Sequence, residues 1–382
     1  MSHLLILGRQ PALGLAELES LLGAPALTPF GPQAVITSEE PDFNRLGGSI
    51  KMATVIETLS VTDWPAIEKY AKTKLAKQID LPPEGKLQLG VSLYGIKVSP
   101  AQVGSLGLSL KKSFKRSARV VVPQGDTYLN SAQVVGNKLT GPQGREIVFY
   151  AHDGQTVVAV TKAEQDINAY TRRDQARPKR DTKVGMLPPK LAQIIINLAG
   201  PGKRLLDPFC GTGVVLQEAL LLGYDVYGTD LEPRMIDYTR ENLDWLADRH
   251  EITGNITLEV GDATSHQWQP PIDVVAAEGY LGRPFTIQPT GQQLTEVVST
   301  CNVITKKFLR NIYDQLQPGT RLCLALPAWQ VQSGRFKRLP MLDLLEEIGY
   351  NRVEFEHAGA DDLIYYRPDQ VVARELVVIT RK

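Results

Sequence analysis

Seven residues, Asp207-Pro208-Phe209-Cys210-Gly211-Thr212-Gly213, constrain this chain more than any other segment. A short apolar run (204–206) leads into them, and a helical pattern (214–222) leads out. Gly211 and Gly213 let the backbone turn tightly and approach a ligand closely. A helix starting at Val214 presents unpaired N–H groups to an anionic ligand group. The same alternation continues: strand 225–229 and helix 233–246, strands 257–260 and 272–276, helix 302–316 and strand 321–326. Helix 341–348, strand 352–356 and a last strand at 375–380 close the chain. Repeated βα units predict a doubly wound α/β sheet with a terminal antiparallel strand, and a ligand site at the C-terminal strand ends.

Two further acids end the next two strands, Asp230 before Leu231 and Asp262 before Ala263. An acid in the first position can accept bonds from two ribose hydroxyls, and one in the second can meet an adenine amine. A nicotinamide dinucleotide would share part of this pattern, but its glycine fingerprint runs G-x-G-x-x-G. Here Val214, Val215 and Leu216 follow Gly213. Asp207 would also repel a pyrophosphate, whereas it attracts a sulfonium or an ammonium. Cys210 reads either as a nucleophile or as a small packing residue.

The fourth strand ends in Glu278-Gly279-Tyr280-Leu281. An exocyclic amine conjugated into a base is a poor nucleophile. A carboxylate and a carbonyl that accept its two N–H bonds localise the lone pair, and an aromatic ring fixes the angle of approach. Glu278, Gly279 and Tyr280 can fill these three roles. The alternative is a solvated strand-end acid beside a locally packed tyrosine.

The N-terminal half mixes strands and helices without strict alternation, so it reads as α+β. One small unit covers 1–60 and a second 61–168. Residues 169–190 have no apolar periodicity and read as a linker, and 191–382 hold the alternating βα pattern. The chain has 42 basic and 42 acidic residues, yet 171–190 hold seven Lys/Arg against two Asp/Glu. Lys111, Lys112, Lys115, Arg116 and Arg119 form a second basic run with no acid between them. Both blocks fit a polyanion-binding surface or a merely solvated one. Three widely spaced cysteines exclude a disulfide framework and a Cys-rich metal site, so no metal is expected. With no apolar run long enough to span a bilayer and no secretory N-terminus, the expected location is cytoplasmic.

Several stretches resemble the THUMP-domain tRNA guanosine-N2 methyltransferases, the archaeal and eukaryotic-type enzymes of the tRNA D-arm. They are Leu5-Ile6-Leu7-Gly8-Arg9-Gln10-Pro11, Leu46-Gly47-Gly48-Ser49-Ile50-Lys51, Tyr170-Thr171-Arg172-Arg173-Asp174 and Arg177-Pro178-Lys179-Arg180-Asp181. Gly185-Met186-Leu187-Pro188-Pro189-Lys190-Leu191 and the Asp207–Gly213 loop complete the set. The resemblance implies a ferredoxin-like subdomain, a THUMP RNA-binding domain and a Rossmann-like class I methyltransferase domain using S-adenosylmethionine. It implies that Met186, Leu187 and Pro188 border the cofactor together with Asp207, Pro208, Phe209, Gly211, Thr212, Gly213, Asp230, Leu231, Asp262 and Ala263. The implied partner is tRNA; on charge alone, the residues expected to meet its phosphates are the Lys111–Arg119 run and Arg172, Arg173 and Arg177 of the basic linker. Some relatives act with a small activating protein, and the sequence leaves that partner open. One departure stands out: the family's catalytic motif is Asp-Pro-Pro-Tyr, where this chain has Glu278-Gly279-Tyr280-Leu281. The leading expectation is methylation of the N2 amine of a tRNA guanosine. The alternatives are another RNA or DNA base, or an RNA-binding protein that keeps the cofactor fold without the chemistry.

Overall fold

The computed structural model describes residues 1–382 apart from Pro83, 182–186, Thr286, Ser333 and Asp369. In chain order the first part comprises β1 (His3–Leu7), α1 (Pro11–Leu22), β2 (Leu27–Pro29), β3 (Ala34–Thr37), β4 (Ser49–Leu59), α2 (Trp64–Thr73), β5 (Leu87–Tyr94), α3 (Pro100–Ser113), β6 (Ala118–Val121), α4 (Ser131–Gly136), β7 (Gly144–His152) and β8 (Gln155–Glu164). There follow α5 (Ile167–Gln175), α6 (Pro189–Ala199), β9 (Arg204–Asp207), α7 (Val214–Leu221), β10 (Asp225–Asp230), α8 (Pro233–Ala247), β11 (Ile256–Val260), β12 (Val274–Glu278), α9 (Gly291–Tyr313), β13 (Arg321–Gln332), β14 (Arg335–Lys337), β15 (Tyr350–Arg352), β16 (Ile364–Tyr365) and β17 (Val372–Arg381).

The chain forms two compact units. The first holds Met1–Pro11, Pro25–Asn44 and Ser49–Ala169, and the second Ala12–Ala24, Arg45–Gly48 and Tyr170–Lys382. In the first unit one eight-stranded sheet, ordered β2-β3-β1-β4-β8-β7-β5-β6, runs through both the 1–60 and the 61–168 regions. β4 joins them, pairing antiparallel with β1 on one side and β8 on the other. Helices α3 and α4 each start with a reciprocal capping box, Ser99 with Gln102 and Asn130 with Gln133. Lys51 is buried in this sheet with its Nζ 2.5 Å from Glu146 and 3.6 Å from Glu164. That pairing offsets the cost of removing the charge from water.

The second unit holds a nine-stranded sheet whose main path runs β11-β10-β9-β12-β13-β17-β15, with β14 paired to β13 and β16 to β17. Strands β11, β10, β9, β12 and β13 are parallel. The last strand, β17, is antiparallel to both β13 and β15. This is the expected α/β sheet with its antiparallel strand, the strand lying inside the sheet edge. The inner parallel strands β9, β12 and most of β13 are buried on both faces, while the edge strand β11 is partly exposed.

Three elements differ from the sequence reading. Helix α9 begins well ahead of residue 302, at a Thr290–Gln293 capping box. Residues 341–348 form only a 3-10 helix, Pro340–Leu344, followed by turns, although Met341, Leu345 and Ile348 still turn into the core at helical spacing. The start of the basic 169–190 segment is the helix α5. Among the described residues no helix is long and apolar enough to cross a membrane.

Most of α1 belongs to the second unit, where Leu13 and Ala16 share a core with Leu191, Ile195 and Leu198 of α6. One buried carboxylate fixes this arrangement. Glu17 accepts N–H bonds from Gly47 and Gly48 at 2.9 and 2.8 Å and from Asn197 Nδ2 at 2.8 Å. Asn197 Nδ2 also donates to the Arg45 carbonyl, and Arg45 Nε donates to Asn197 Oδ1. The backbone passes so close that a Cβ at Gly47 would lie 2.1 Å from the Lys190 carbonyl oxygen. Burial pushes the Glu17 carboxyl up to about 7, against the three N–H bonds that favour its ionised form.

Glu17→Ala strands three buried donors, so a loss of about 3 kcal/mol is expected in denaturant unfolding of the second unit, at roughly 1 kcal/mol or more per unmatched donor. The raised carboxyl binds its proton more tightly folded than unfolded. The stability it contributes is therefore complete below its ordinary value of 4.5 and is lost as pH rises through about 7. Glu17→Gln should flatten that part of the stability–pH curve, and an unchanged slope would contradict the assignment.

Candidate functional site

The parallel strands β9 to β12 end on one edge of the second sheet, where the loops beyond them enclose a cavity of about 790 Å³. β9 lies between β10 and β12, the place where the winding of the sheet reverses and a crevice opens. The loop after β9 forms the cavity floor. Gly211 and Gly213 have φ of +52° and +82°, and a Cβ at Gly213 would lie 2.8 Å from Thr239 Cγ2. Helix α8 pins the loop from behind. Thr239 Oγ1 donates to the Gly211 carbonyl at 2.8 Å, and Asn242 Nδ2 to the Thr212 carbonyl at 2.8 Å. Helix α7 starts at Gly213 with no side-chain cap, so its first N–H groups remain open to an anionic ligand group.

Three strand-end carboxylates surround this floor. Asp207 is 1% exposed and accepts the Phe209 N–H at 3.1 Å. Burial, reinforced by the charges of Asp230 and Glu278, pushes its carboxyl well above the usual carboxylate range. Asp230 accepts the Gly211 N–H on one oxygen and the Glu232 N–H on the other, both at 2.9 Å. It thereby ties β10 to the loop, and burial pushes it up as well. Asp262 accepts both the N–H and the hydroxyl of Thr264 on Oδ1 at 2.8 Å, which holds it below its ordinary range. Its Oδ2 makes no bond among the described residues.

The fourth strand end completes the wall. Glu278 pairs in register with Ala325 of β13, and the Gly279 N–H donates to the Ala325 carbonyl at 3.0 Å. Arg374 of β17, itself 5% exposed, donates from Nε to Glu278 Oε1 at 2.5 Å. Tyr280 is 42% exposed beside the cavity mouth.

Of the residues expected at a cofactor, the cavity is lined by Leu187, Asp207, Pro208, Phe209, Gly211, Thr212, Asp230, Leu231, Asp262 and Ala263. Gly213 and Pro188 do not line it, and Met186 lies outside the described residues. Glu278, Gly279 and Tyr280 line the same cavity. Among the contributors that the sequence reading missed are Lys307 and Arg374. Lys307 reaches the cavity from α9, one turn after Val303, and its charge faces Asp262. Arg374 lies 96 residues from Glu278, so no local pattern links the two. Cys210 is buried, and burial pushes its thiol well up, which disfavours the thiolate a nucleophile needs.

The basic residues divide. Lys111 and Arg119 line a groove of about 600 Å³ in the first unit together with Lys86, beside the exposed Leu108 and Val122. Lys112 and Lys115 are exposed, and Arg116 donates to the Gly85 carbonyl. Arg172 is exposed. Arg173 and Arg177 correct the sequence reading: Arg173 ion-pairs at 2.8 Å with the buried Glu218, and Arg177 is only 4% exposed. Arg173 is thus engaged by a buried carboxylate and Arg177 is itself buried, so neither presents its cation at the surface.

Residues 199–363 match the family model described as a methyltransferase domain. The tRNA (guanine(10)-N2)-dimethyltransferase of Methanothermobacter thermautotrophicus is 32% identical over 158 residues, covering 40% of this chain and 43% of that protein. Its namesake from Pyrococcus abyssi is 30% identical over 168 residues, 43% of each. The chain spans less than half the length of these curated relatives. Their name is that of the family which the sequence resembles. The crystal structure of TrmN from Thermus thermophilus shares the fold along the whole length of both chains, with a TM-score of 0.54 and 17% identity.

The cavity suits S-adenosylmethionine. It offers carboxylates for an ammonium, a ribose and an amine, and open helix N–H groups for a carboxylate. A protonated Asp207 must lose its proton before it can hold a cation. Affinity for S-adenosylmethionine should therefore rise with pH above the ordinary carboxylate range, until Asp207 is ionised in the free protein. Calorimetric titration at a series of pH values checks this, and Asp207→Asn should abolish the slope.

Proposed function

We propose that this chain, whose residues 199–363 are a methyltransferase domain, methylates the exocyclic N2 amine of a guanosine in tRNA, with the first unit gripping the RNA. The observation that carries this reading is the Glu278-Gly279-Tyr280 strand end, which lines one cavity with the three acids of the cofactor site. Bound S-adenosylmethionine supplies an electrophilic methyl group on a sulfonium. The protein's own part is positioning. Glu278 and the Gly279 carbonyl accept the two N–H bonds of the amine, so that its lone pair points at the methyl group. Tyr280, exposed at the mouth, stacks on the base. A paired guanosine is extruded from its helix to reach this depth.

The altered motif has a physical rationale on this reading. Glutamate is one methylene longer than the family's aspartate and samples more conformers. Arg374 removes that freedom by holding Oε1 at 2.5 Å, which leaves Oε2 to accept from the amine. A bond from a cation to a carboxylate is about twice as strong as a neutral one. Rigidity that the family obtains from proline would here come from an ion pair. The groove with Lys86, Lys111 and Arg119, and the exposed Lys112, Lys115 and Arg172, support contact with a phosphate backbone. The names of the curated relatives support guanosine N2 as the acceptor.

Incubation with labelled S-adenosylmethionine and unmodified tRNA transcripts, followed by nucleoside mapping, should yield N2-methylated guanosine; a label on another nucleoside would overturn the acceptor assignment. Glu278→Gln should lower transfer by about 100-fold while cofactor binding persists, the cost of losing one oriented acceptor. Arg374→Gln should lower kcat by about tenfold with little change in cofactor affinity, since loosened orientation acts on the reacting geometry. Arg374→Lys should recover part of that loss. Full activity of the Gln variant would remove Arg374 from the site.

A further inference from the structure

The proposed chemistry leaves a second concavity on the same edge of the sheet unused. β13 meets Glu278 at Ala325 but continues to Gln332, so residues 329–332 overhang the catalytic strand end. There a groove of about 560 Å³ is lined by Pro289, Leu294, Trp329 and the amides of Gln288, Gln330 and Gln332. No charged side chain lines it among the described residues, and these three amides make no side-chain hydrogen bond there. Trp329 is 1% exposed, and its Nε1–H is buried without an acceptor. Buried indole donors are ordinarily matched. The same indole borders the cofactor cavity: a Cβ at the cavity residue Gly282 would lie 3.9 Å from Trp329 Cζ2. Just beyond, β14 carries the exposed Arg335 and Lys337.

We propose that this groove holds an unpaired nucleobase of the substrate RNA, the neighbour of the base being methylated. The inference rests on the function proposed above. A nucleobase is uncharged and planar, with apolar faces and an edge of alternating donors and acceptors. Leu294, Pro289 and the exposed Val331 match the faces, and glutamine amides match the edge by paired hydrogen bonds. A phosphate or carboxylate ligand would call for cations in the lining, where the described residues have none; the exposed Arg335 and Lys337 stand beside it on β14, where the strand's phosphates would pass. The target itself must enter the cofactor cavity beside Glu278. The 279–282 segment and the indole separate that cavity from the groove, so the groove receives a neighbour. Extrusion of one base unstacks the next and frees it for such a pocket.

The test measures direct binding of unmodified tRNA transcripts to the full chain and to a Gln330→Ala/Gln332→Ala variant. The transcripts carry either the natural base or an abasic site on each side of the methylated nucleotide. The variant should fold with an unchanged melting curve, retain S-adenosylmethionine binding and bind the natural transcript about 10-fold more weakly. The parent protein should lose a similar factor at one of the two abasic positions, and the variant should be indifferent to it. Equal binding by parent and variant, or loss that ignores the abasic position, would overturn the groove assignment while leaving methyl transfer intact. RNA binding with the expected dependence but no transfer would sink the proposed activity and keep the groove. No RNA binding by the parent would overturn both.

Discussion

Asp207 ends β9 with its carboxylate buried, and the ligand-binding edge of the second sheet is organised around that fact. An acid in such a place resists ionisation, and the neighbouring charges of Asp230 and Glu278 deepen the resistance. The arrangement becomes favourable when a cation arrives. A site that is electrostatically uncomfortable alone is thus matched to a sulfonium or ammonium ligand and mismatched to a pyrophosphate. The surrounding bonds keep it from relaxing: Asp230 holds the glycine loop to β10, and Thr239 and Asn242 hold it to α8. Each of these would move if the carboxylates were free to separate.

The same logic of buried carboxylates recurs at other points of the chain. Glu17 gathers the 45–48 segment and Asn197 around α1, Glu146 and Glu164 hold Lys51, and Glu218 holds Arg173. Each buried acid meets several donors or a cation, as the desolvation cost demands. At Glu278 this habit takes on chemical meaning. Its partner Arg374 lies on the last strand, which is antiparallel and runs beside β13, so the guanidinium arrives from the far end of the sequence. On the proposed reading the closing strand of the sheet completes the catalytic wall as well as the core.

Much of the cavity was legible in the chain because its residues are local to strand ends. Asp207 to Thr212, Asp230, Asp262 and Glu278 each follow a short apolar run, and the βα rhythm alone brings such positions to one edge. Arg374 and Lys307 were not legible. Both depend on pairings between distant elements: β17 against β13 and α9 over the cavity mouth. The start of α9 was legible in Thr290 and Gln293, and Leu294, Val297, Val298 and Cys301 continue it at helical spacing, so this early start was a signal present in the sequence but not read. The basic segment shows the opposite error. Charge density pointed to a surface, while Arg173 pairs with the buried Glu218 and Arg177 is itself buried.

Sequence alone determined the βα alternation of the second half, the glycine loop and the three strand-end acids, because turn geometry and strand periodicity are local properties of the backbone. The identity of the family resemblance was also carried by short contiguous segments. Only the tertiary structure decided which unit owns α1, what Glu278 touches, which arginines remain exposed and where a second groove opens beside Trp329. Those depend on burial and on long-range pairing, where the cost of an unmatched charge selects among partners that no local pattern ranks.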